Sequence, residues 1–379
     1  MRDLVDIGMG RTARRAFGLD DVEIVPSRRT RSSSDVATTW QIDAYRFDIP
    51  LVTHPTDAVV SPAAAVAVGK LGGLGVLNAE GVWARHTDPE AALARLVEAA
   101  DKGEDPAVLV RVLQELHAAP IQEDLVTEAV RQVRESGVTA AARVSPQNAA
   151  ALAPLLIAAG VEILVVQGTI VSAEHVAKGD GEPLNLKSFI GGLDIPVIAG
   201  GAHDYRTAMH LMRTGAAGVV VGYGHVDGVT STDAALGIGV PMATAIVDAA
   251  AARRDYLDET GGRYVHVIAD GEVHTSGDIA KSIACGADAV MLGAPLAAAA
   301  EAPGGGLYWT AAAAHPSLPR SRVLPVAEET GIPLQQLLFG PSGEADGQVN
   351  LFGALRRAMA KTGYSDLKEF QRVGLTVRG

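Results

Sequence analysis

The sequence predicts an α/β protein whose eight parallel strands close into a (β/α)8 barrel, and two observations support this. Short apolar runs recur along the chain, and each is followed by Gly or polar residues and then by an Ala-rich stretch with helical spacing. Continuous apolar strands that alternate with helices are typical of a parallel sheet buried on both faces. Eight such units favour a closed barrel, the TIM-barrel architecture, over an open doubly wound sheet. The runs are residues 48–53, 73–78, 138–144, 161–166, 195–200, 217–222, 264–269 and 288–293.

The composition supports a large folded core and excludes several classes of protein. The chain of 379 residues is 48% hydrophobic, which excludes a disordered protein. Its formal net charge of −12 argues against nucleic-acid binding, because phosphate contacts need a basic surface. The longest nearly apolar run, residues 289–300, is too short to span a bilayer, and residues 1–15 have no hydrophobic signal core. We therefore expect a cytoplasmic protein with neither a nucleic-acid nor a membrane partner.

The connections between the apolar runs differ in length, and the long ones are expected to hold additional structure. Residues 84–136, between the second and third runs, show helical spacing of Leu, Val and Ala, which predicts a helical insertion. The helices predicted from such spacing cover residues 89–102, 107–118, 124–136, 241–258, 279–285, 353–359 and 366–370. Residues 301–379 are predicted to form a C-terminal extension, and the whole chain, 1–379, is expected to be one domain.

The loops after the seventh and eighth runs predict a phosphate-binding region. Asp270 and Gly271 end the seventh run, and Gly293 and Ala294 end the eighth. Barrels commonly bind phosphate with the backbone N–H groups of these two loops, and Gly permits the close approach. Asp270 would repel phosphate, but its carboxylate could bind ribose hydroxyls. The alternative is that these glycines serve only tight turns.

Other candidate residues carry weaker signals. The loop after the sixth run holds Gly222, Gly224 and a hydroxyl-rich stretch, 230–232, which local capping could also explain. Cys285, the one cysteine, is expected at the end of a helix away from the catalytic face, so we interpret it as a packing residue. One cysteine also excludes a disulfide framework and a multi-cysteine metal site. His54 and His225 follow the first and sixth runs, where an acid–base role and a structural role are both open.

Several motifs in a fixed order resemble the IMP dehydrogenase/GMP reductase family, and most closely the branch called IMP-dehydrogenase-related proteins. The resemblance covers nearly the whole chain, although the paired regulatory repeats of IMP dehydrogenases have no counterpart. The motifs are residues 19–26 (LDDVEIVP), 50–52 (PLV), 72–75 (GGLG), 197–200 (VIAG), 237–241 (GIGVP), 268–271 (IADG), 276–279 (SGDI) and 290–293 (VMLG).

The resemblance implies a purine-nucleotide oxidoreductase that transfers a hydride between purine C2 of IMP, XMP or GMP and NAD or NADP. It further implies a homotetramer or octamer. The residues implied for substrate and phosphate binding are Thr53, Asp57, Gly224, Asp270, Gly271, Gly293 and Ala294. The residues implied for cofactor binding are Gln167, Gly168 and Thr169, and the carbonyl groups of Gly222 and Gly224 are candidates for binding a monovalent cation such as K+.

The chain departs from the family pattern where the reaction takes place. The family's catalytic loop carries Cys-Thr-Thr-Arg, whereas residues 230–233 here are Thr-Ser-Thr-Asp, so Thr230 stands in place of the nucleophilic cysteine. Thr232 and Asp233 are the other catalytic candidates in this loop. A Thr hydroxyl is far harder to ionise than a thiol and needs an adjacent base. The family's mobile Arg-Gly-Met-Gly flap is not found, which favours reduction of GMP, a reaction without a hydrolytic step.

Two other functions stay open on the sequence. One is a catalytically impaired, purine-nucleotide-binding regulatory paralogue, which the absent catalytic cysteine supports. The other is a flavin-dependent barrel enzyme, because flavin barrels bind phosphate with the same two loops. We favour the nicotinamide-dependent enzyme, since the loops on the catalytic face keep His, Asp, Thr and Gln.

Overall fold

The computed structural model describes residues 4–172 and 184–378, and it confirms the predicted barrel. Eight parallel strands form one sheet in which β2 to β8 each pair with the next strand along the chain, and β8 also pairs with β1. The ring closes next to β2, where Val52 bridges Leu74 and the Thr53 amide donates to the Leu74 carbonyl at 2.9 Å. The strands are β1 (Leu51–Thr53), β2 (Val76–Asn78), β3 (Ala141–Val144), β4 (Ile163–Gln167), β5 (Val197–Ala202), β6 (Gly218–His225), β7 (His266–Gly271) and β8 (Ala289–Leu292).

Helices surround the barrel, as expected for apolar strands that are buried on both faces. They are α1 (Pro62–Lys70), α2 (Pro89–Asp101), α3 (Pro106–Ala118), α4 (Glu123–Glu135), α5 (Ala149–Ala159), α6 (Leu186–Gly191), α7 (Tyr205–Arg213), α8 (Thr232–Leu236), α9 (Met242–Thr260), α10 (Ser276–Ala284), α11 (Leu334–Phe339), α12 (Leu351–Lys361) and α13 (Leu367–Phe370). Short 3-10 helices cover Leu19–Asp21, Ser33–Asp35, Val82–Ala84, Ala294–Ala298 and Ala311–Ala314. None of the described helices is long and apolar enough to cross a membrane.

Within residues 4–172 and 184–378, four antiparallel strand pairs lie outside the barrel. They are Leu4–Gly8 with Arg11–Arg14, Val22–Ile24 with Leu375–Val377, Trp40–Ile42 with Tyr45–Phe47, and Leu307–Tyr308 with Leu324–Pro325. The second pair joins the two ends of the chain, because the last strand returns to a strand near the N-terminus.

The helical insertion between β2 and β3 is confirmed as three helices, α2 to α4. Each buries an apolar stripe, represented by Leu96, Leu113 and Val130, as the helical spacing predicts. In addition, Gln114 on α3 donates to the His315 carbonyl at 3.0 Å, so the insertion contacts the C-terminal extension. The expectation that residues 1–379 form one domain stays a prediction.

A charge cluster around buried Asp288, at the N-terminal end of the barrel, holds the C-terminal extension. Asp288, just before β8, accepts hydrogen bonds from Arg253 at 2.7 Å and Tyr264 at 2.8 Å, and it pairs with Lys368. Burial alone would raise the pKa of Asp288, but the Arg253 and Lys368 cations outweigh it and lower that pKa. Because Lys368 lies on α13, this cluster fastens the extension to the barrel.

Candidate active site

A cleft of about 760 Å³ opens at the C-terminal ends of the barrel strands. Its walls come from the loops after β1, β2, β3 and β4, from Tyr223 on β6, and from residues 310–320 of the C-terminal extension. Catalytic residues of barrel enzymes lie at this end of the strands, since the strand ends bring distant loops together. The cleft is therefore the candidate active site.

A buried polar network, which we call the floor network, joins five strands beneath the cleft. It consists of His54, Asp270, Gln167, Arg143 and Glu80. His54 Nδ1 lies 3.0 Å from Asp270 Oδ1, and Gln167 Nε2 donates to Asp270 Oδ2 at 2.6 Å. Arg143 donates to the Gln167 carbonyl at 2.7 Å and pairs with Glu80 at 3.3 Å. The floor network therefore links loops and strands that are far apart in the sequence.

The His54 ring is oriented by Asp270. A carboxylate only accepts hydrogen bonds, so Nδ1 carries the hydrogen and Nε2 is the nitrogen left for a ligand. His54 lines the cleft, whereas Asp270 lies behind it with 1% of its surface exposed. A Cβ atom on Gly224 would lie 2.5 Å from His54 Cε1, so this glycine provides the space that the ring occupies. The pair has the geometry of an oriented acid–base residue.

Glu80 and Arg143 form a charged pair on the other side of the cleft floor. Burial alone would raise the pKa of Glu80, but Arg143 and the hydrogen bonds from Ser145 outweigh it and lower that pKa. Burial lowers the pKa of Arg143, although Glu80 opposes this shift. Glu80 also accepts two hydrogen bonds at 2.7 Å, from the Ser145 amide and hydroxyl. The pair thus stays ionised and fixes the β2 and β3 loops relative to each other.

The three residues predicted to bind the cofactor are together on the cleft. Gln167, Gly168 and Thr169 follow one another at the end of β4, and all three line the cleft. Gln167 Oε1 is buried and has no hydrogen-bond partner, although the amide nitrogen of the same side chain is bonded to Asp270. This unpaired acceptor is a place where a ligand N–H group would be stabilised.

The predicted catalytic segment contributes Leu236, at the end of α8, to the wall of this cleft. Thr230 has 8% of its surface exposed and does not line the cleft. Its hydroxyl lies 3.0 Å from His225 Nδ1, and His225 Nε2 lies 3.1 Å from Asp227, so the adjacent base that a Thr nucleophile needs is present. However, the same hydroxyl accepts the Val226 amide at 3.1 Å, and the Asp227 side chain is 95% exposed. The Thr230 hydroxyl is therefore engaged in hydrogen bonds within its own loop.

Thr232 and Asp233 differ in environment. Thr232 is buried at the first position of α8. Asp233 is exposed and lines a second cleft of about 370 Å³. The other walls of that cleft come from His203 after β5, from β6, from the loop before α9 and from Glu272. Tyr223 also lines that cleft. Burial, together with the negative charges of Asp233 and Glu272, raises the pKa of Tyr223 to about 12. The three predicted catalytic residues therefore do not line one cleft together.

The residues predicted to bind phosphate contact side chains that the sequence reasoning missed. Tyr308, from the C-terminal extension, is buried directly against Gly293, and burial together with Asp270 raises its pKa. Gly271 packs against His225. Glu272 has a left-handed backbone, with φ of +54°, and its carboxylate accepts the Met242 amide at 3.3 Å. Burial raises the pKa of Glu272. Neither Gly271 nor Gly293 lines the main cleft, nor does Ala294, which begins a 3-10 helix after β8.

Thr53 and Asp57, predicted to contact substrate, serve as links between loops in this structure. Thr53 Oγ1 accepts the Val76 amide at 2.8 Å, which joins β1 to β2. Asp57 is buried and accepts the Val82 amide at 3.1 Å, with its Oδ2 3.5 Å from His117 Nε2. Neither residue lines the main cleft. Their predicted role in substrate binding stays a prediction.

The remaining expectations concern metal ions and the thiol. Gly222 and Gly224 both have positive φ, +97° and +74°, and binding of a monovalent cation by their carbonyl groups stays a prediction. Residues 4–172 and 184–378 contain no group of three or more His, Cys, Asp or Glu placed to hold a metal ion. Cys285 lies at the C-terminal end of α10, as predicted, and burial raises the pKa of its thiol to about 11. A thiol with that pKa, at the far end of a helix from the cleft, cannot supply a thiolate there.

Comparisons with known proteins agree with the barrel and add relatives. A family model described as the IMP dehydrogenase / GMP reductase domain matches residues 16–314. A Mycobacterium tuberculosis protein named an uncharacterized oxidoreductase is 66% identical over 376 residues, covering 99% of this chain and 100% of the relative. The Haemophilus influenzae inosine-5'-monophosphate dehydrogenase is 38% identical over 149 residues, which cover 39% of this chain and 28% of that enzyme. The crystal structure of an IMP dehydrogenase/GMP reductase-like protein from Corynebacterium glutamicum is 56% identical, with a TM-score of 0.93 and coverage of 99% of this chain and 98% of that one.

Proposed function

This chain belongs to the IMP dehydrogenase/GMP reductase family of oxidoreductases, and from that premise we propose that it is a purine-nucleotide oxidoreductase that works without an enzyme thiol. In this proposal a hydride passes between C2 of the purine and a nicotinamide cofactor at the floor of the cleft, and GMP reduction is the favoured direction. The observation that carries the proposal is the pair of His54 and Asp270, which places an oriented acid–base residue on the cleft.

Reduction of GMP requires a proton donor rather than an activated water. The reaction adds a hydride at C2, breaks the bond from C2 to the exocyclic amino group, and releases that group as ammonia with one proton taken up. His54 is suited to protonate the departing nitrogen from Nε2, because Asp270 holds Nδ1 and fixes the plane of the ring. An acid–base residue of this kind contributes about 10²–10⁴-fold to the rate.

The residues at the end of β4 fit a nicotinamide cofactor, NADP or NAD. The unpaired Gln167 Oε1 acceptor matches a carboxamide N–H donor, and Gly168 and Thr169 leave the adjoining stretch of the cleft polar and open. When bound, the reduced cofactor supplies the hydride. Gln167 also bonds to Asp270, so one side chain connects the cofactor position with the acid–base pair.

A second candidate function is that of a catalytically impaired purine-nucleotide-binding paralogue. One observation favours it, namely the position of Thr230 outside the cleft, with its hydroxyl engaged by the Val226 amide. In this candidate function the covalent chemistry of the family does not proceed through that hydroxyl, because the Val226 amide already engages it. The two candidates differ in whether hydride transfer takes place.

The test is oxidation of NADPH after addition of GMP to the purified protein, with Thr230→Ala and His54→Gln variants in parallel. We expect turnover in the wild type and in Thr230→Ala, and a loss of about 100-fold or more in His54→Gln. The glutamine retains a hydrogen-bonding group for Asp270, and binding of GMP, measured by the melting temperature, checks that the variant is folded. No turnover with GMP and NADPH or with IMP and NAD, while purine nucleotides still raise the melting temperature, would favour the binding paralogue.

A further inference from the structure

The N-terminal hairpin, which spans residues 4–14, carries apolar side chains that lie in solvent. Every residue from 4 to 12 is exposed. Leu4 and Ile7 expose 61% and 63% of their surface, and Met9 at the turn is fully exposed. In the part of the chain that the structure describes, the two strands of the hairpin pair only with each other. Its exposed large apolar residues are Leu4, Val5, Ile7 and Met9.

Such a hairpin needs a surface that covers it. A two-stranded hairpin alone is marginally stable at best in water, because neither of its faces is packed. An exposed apolar strand with free edges also invites pairing with another chain. One exposed apolar side chain is ordinary on a protein surface, but four within six residues form a patch of the kind that marks an interaction site.

The base of the hairpin is fastened to α9 of the barrel. Arg14 pairs with Asp248 at 2.7 Å, and shortly after the hairpin the Phe17 amide donates to Thr244 Oγ1 at 2.8 Å. These contacts hold the end of the second strand, whereas the apolar residues lie on the first strand and the turn. The hairpin is therefore fixed at its base and leaves its apolar part free for a partner.

The charge of the hairpin is opposite to that of the chain as a whole. Residues 4–15 hold three arginines and one carboxylate, whereas the chain has a formal net charge of −12. The helical insertion, residues 84–136, alone holds eleven acidic and six basic residues. Complementary charges steer two surfaces together, and like charges keep them apart. A basic, apolar hairpin thus finds the acidic surface that it fits on every other copy of this chain.

We propose that the N-terminal hairpin is an arm that docks on a second copy of this chain. The four exposed apolar side chains are buried in that contact. Arg11 and Arg15, which are exposed, face carboxylates of the partner, as Arg14 faces Asp248 within one copy. The family resemblance implies a homo-oligomer, and the hairpin is the element that holds its copies together. The inference does not depend on the reaction proposed above.

Sedimentation velocity of the full chain over a range of protein concentrations tests the apolar part of the contact. The variant carries Leu4→Thr and Ile7→Thr, which keep β-propensity and charge but remove apolar surface. Val377→Thr is the control, because Val377 lies on a strand outside the hairpin and is 51% exposed. We expect the dissociation constant of the assembly to rise about tenfold or more in the double variant and to stay unchanged in the control. Circular dichroism checks that each variant is folded.

A second variant, Arg11→Gln with Arg15→Gln, tests the charged part, with exposed Lys361→Gln on α12 as its control. We expect weaker association at low salt and a smaller dependence of association on salt than in the wild type, because screening acts on charged contacts. The control should behave as the wild type does.

Three results would overturn the inference. One is a wild-type protein that sediments as a single copy at every concentration. Another is an assembly that both hairpin variants leave unchanged, since the copies would then associate through another surface. The third is equal weakening by Val377→Thr and by the double variant in Leu4 and Ile7, which would deny the hairpin a specific role.

Discussion

The largely buried imidazole of His266 is expected to make the stability of the barrel depend on pH. His266 begins β7 at the end of the barrel opposite the cleft, with its ring 5.9 Å from that of Trp40 and 5.0 Å from that of Tyr264. Its Nδ1 is buried, has no hydrogen-bond partner, and lies 3.9 Å from Asp288. Burial lowers the pKa of His266 from 6.5 to about 4, although Asp288 opposes the shift.

The sign and size of the effect follow from proton linkage. The unfolded chain takes up the proton near pH 6.5, whereas the folded chain takes it up near pH 4. In that interval the unfolded state binds more protons, so the free energy of unfolding falls as the pH falls. At about 1.4 kcal/mol for each unit of difference between the two pKa values, the full loss is about 3 kcal/mol.

Urea unfolding of the wild type and of His266→Phe across this pH range measures the effect. Phenylalanine keeps a ring against Trp40 and Tyr264 but does not titrate, so the difference between the two proteins isolates His266 from other groups. We expect the wild type to lose about 3 kcal/mol relative to the variant between pH 7 and pH 4. Parallel pH dependences in the two proteins would refute the reasoning.

Two further predictions concern the cluster beneath the barrel and the orientation of the acid–base residue. Replacing Asp288 by Asn leaves the Arg253 guanidinium without the carboxylate that lies 2.7 Å away. The free energy of unfolding, measured in urea, should therefore fall by about 3–5 kcal/mol. A loss under about 1 kcal/mol would contradict the role of the cluster. Gly224→Ala places a Cβ 2.5 Å from the His54 ring and should lower turnover at least about tenfold. Gly228→Ala is the matched control, since Gly228 has the same φ of +74° with open space around it. Equal activity in the two variants would contradict the claim that Gly224 provides the space for the His54 ring.

Much of the barrel could be predicted from the sequence because its determinants are local. The apolar runs at 161–166 and 195–200 correspond to β4 (Ile163–Gln167) and β5 (Val197–Ala202), with boundaries shifted by only a few residues. The position of Cys285 at a helix end likewise follows from helical spacing and the Gly that comes next. Apolar runs and helical spacing can be recognised within about a dozen residues. Tertiary contacts shifted the ends of these elements but did not change whether each is a strand or a helix.

The floor network could be predicted only in part. Strand-end positions placed His54, Gln167 and Asp270 on one rim, because the ends of parallel strands share an edge. Their pairing could not be predicted, since His54 and Asp270 are 216 positions apart and side-chain conformation decides which atoms meet. Arg143 lies within the apolar run 138–144, and a charge inside a buried strand was a usable but missed indication of a polar floor.

The C-terminal extension was the least predictable contributor to the site. Tyr308 ends a two-residue strand and Arg320 lies in an irregular segment, and neither stretch has hydrophobic periodicity. Nothing local therefore indicated that Tyr308 would cover Gly293 or that Arg320 would line the cleft. Glu272 is different, because a carboxylate directly after Gly271 is visible in the sequence. Like charges repel, and that position could have raised the question of where the phosphate binds.

Transfer of deuterium from the hydride position of NADPH to the purine tests thiol-free hydride transfer most directly. The wild-type protein and the Thr230→Ala variant are incubated with GMP and the deuterated cofactor, and the IMP formed is examined by mass spectrometry and proton NMR. We expect deuterium at C2 of IMP with both proteins, and much slower formation with His54→Gln. IMP that carries solvent hydrogen at C2, or no IMP at all from the wild type or from Thr230→Ala, would contradict a thiol-free transfer at His54 and Asp270.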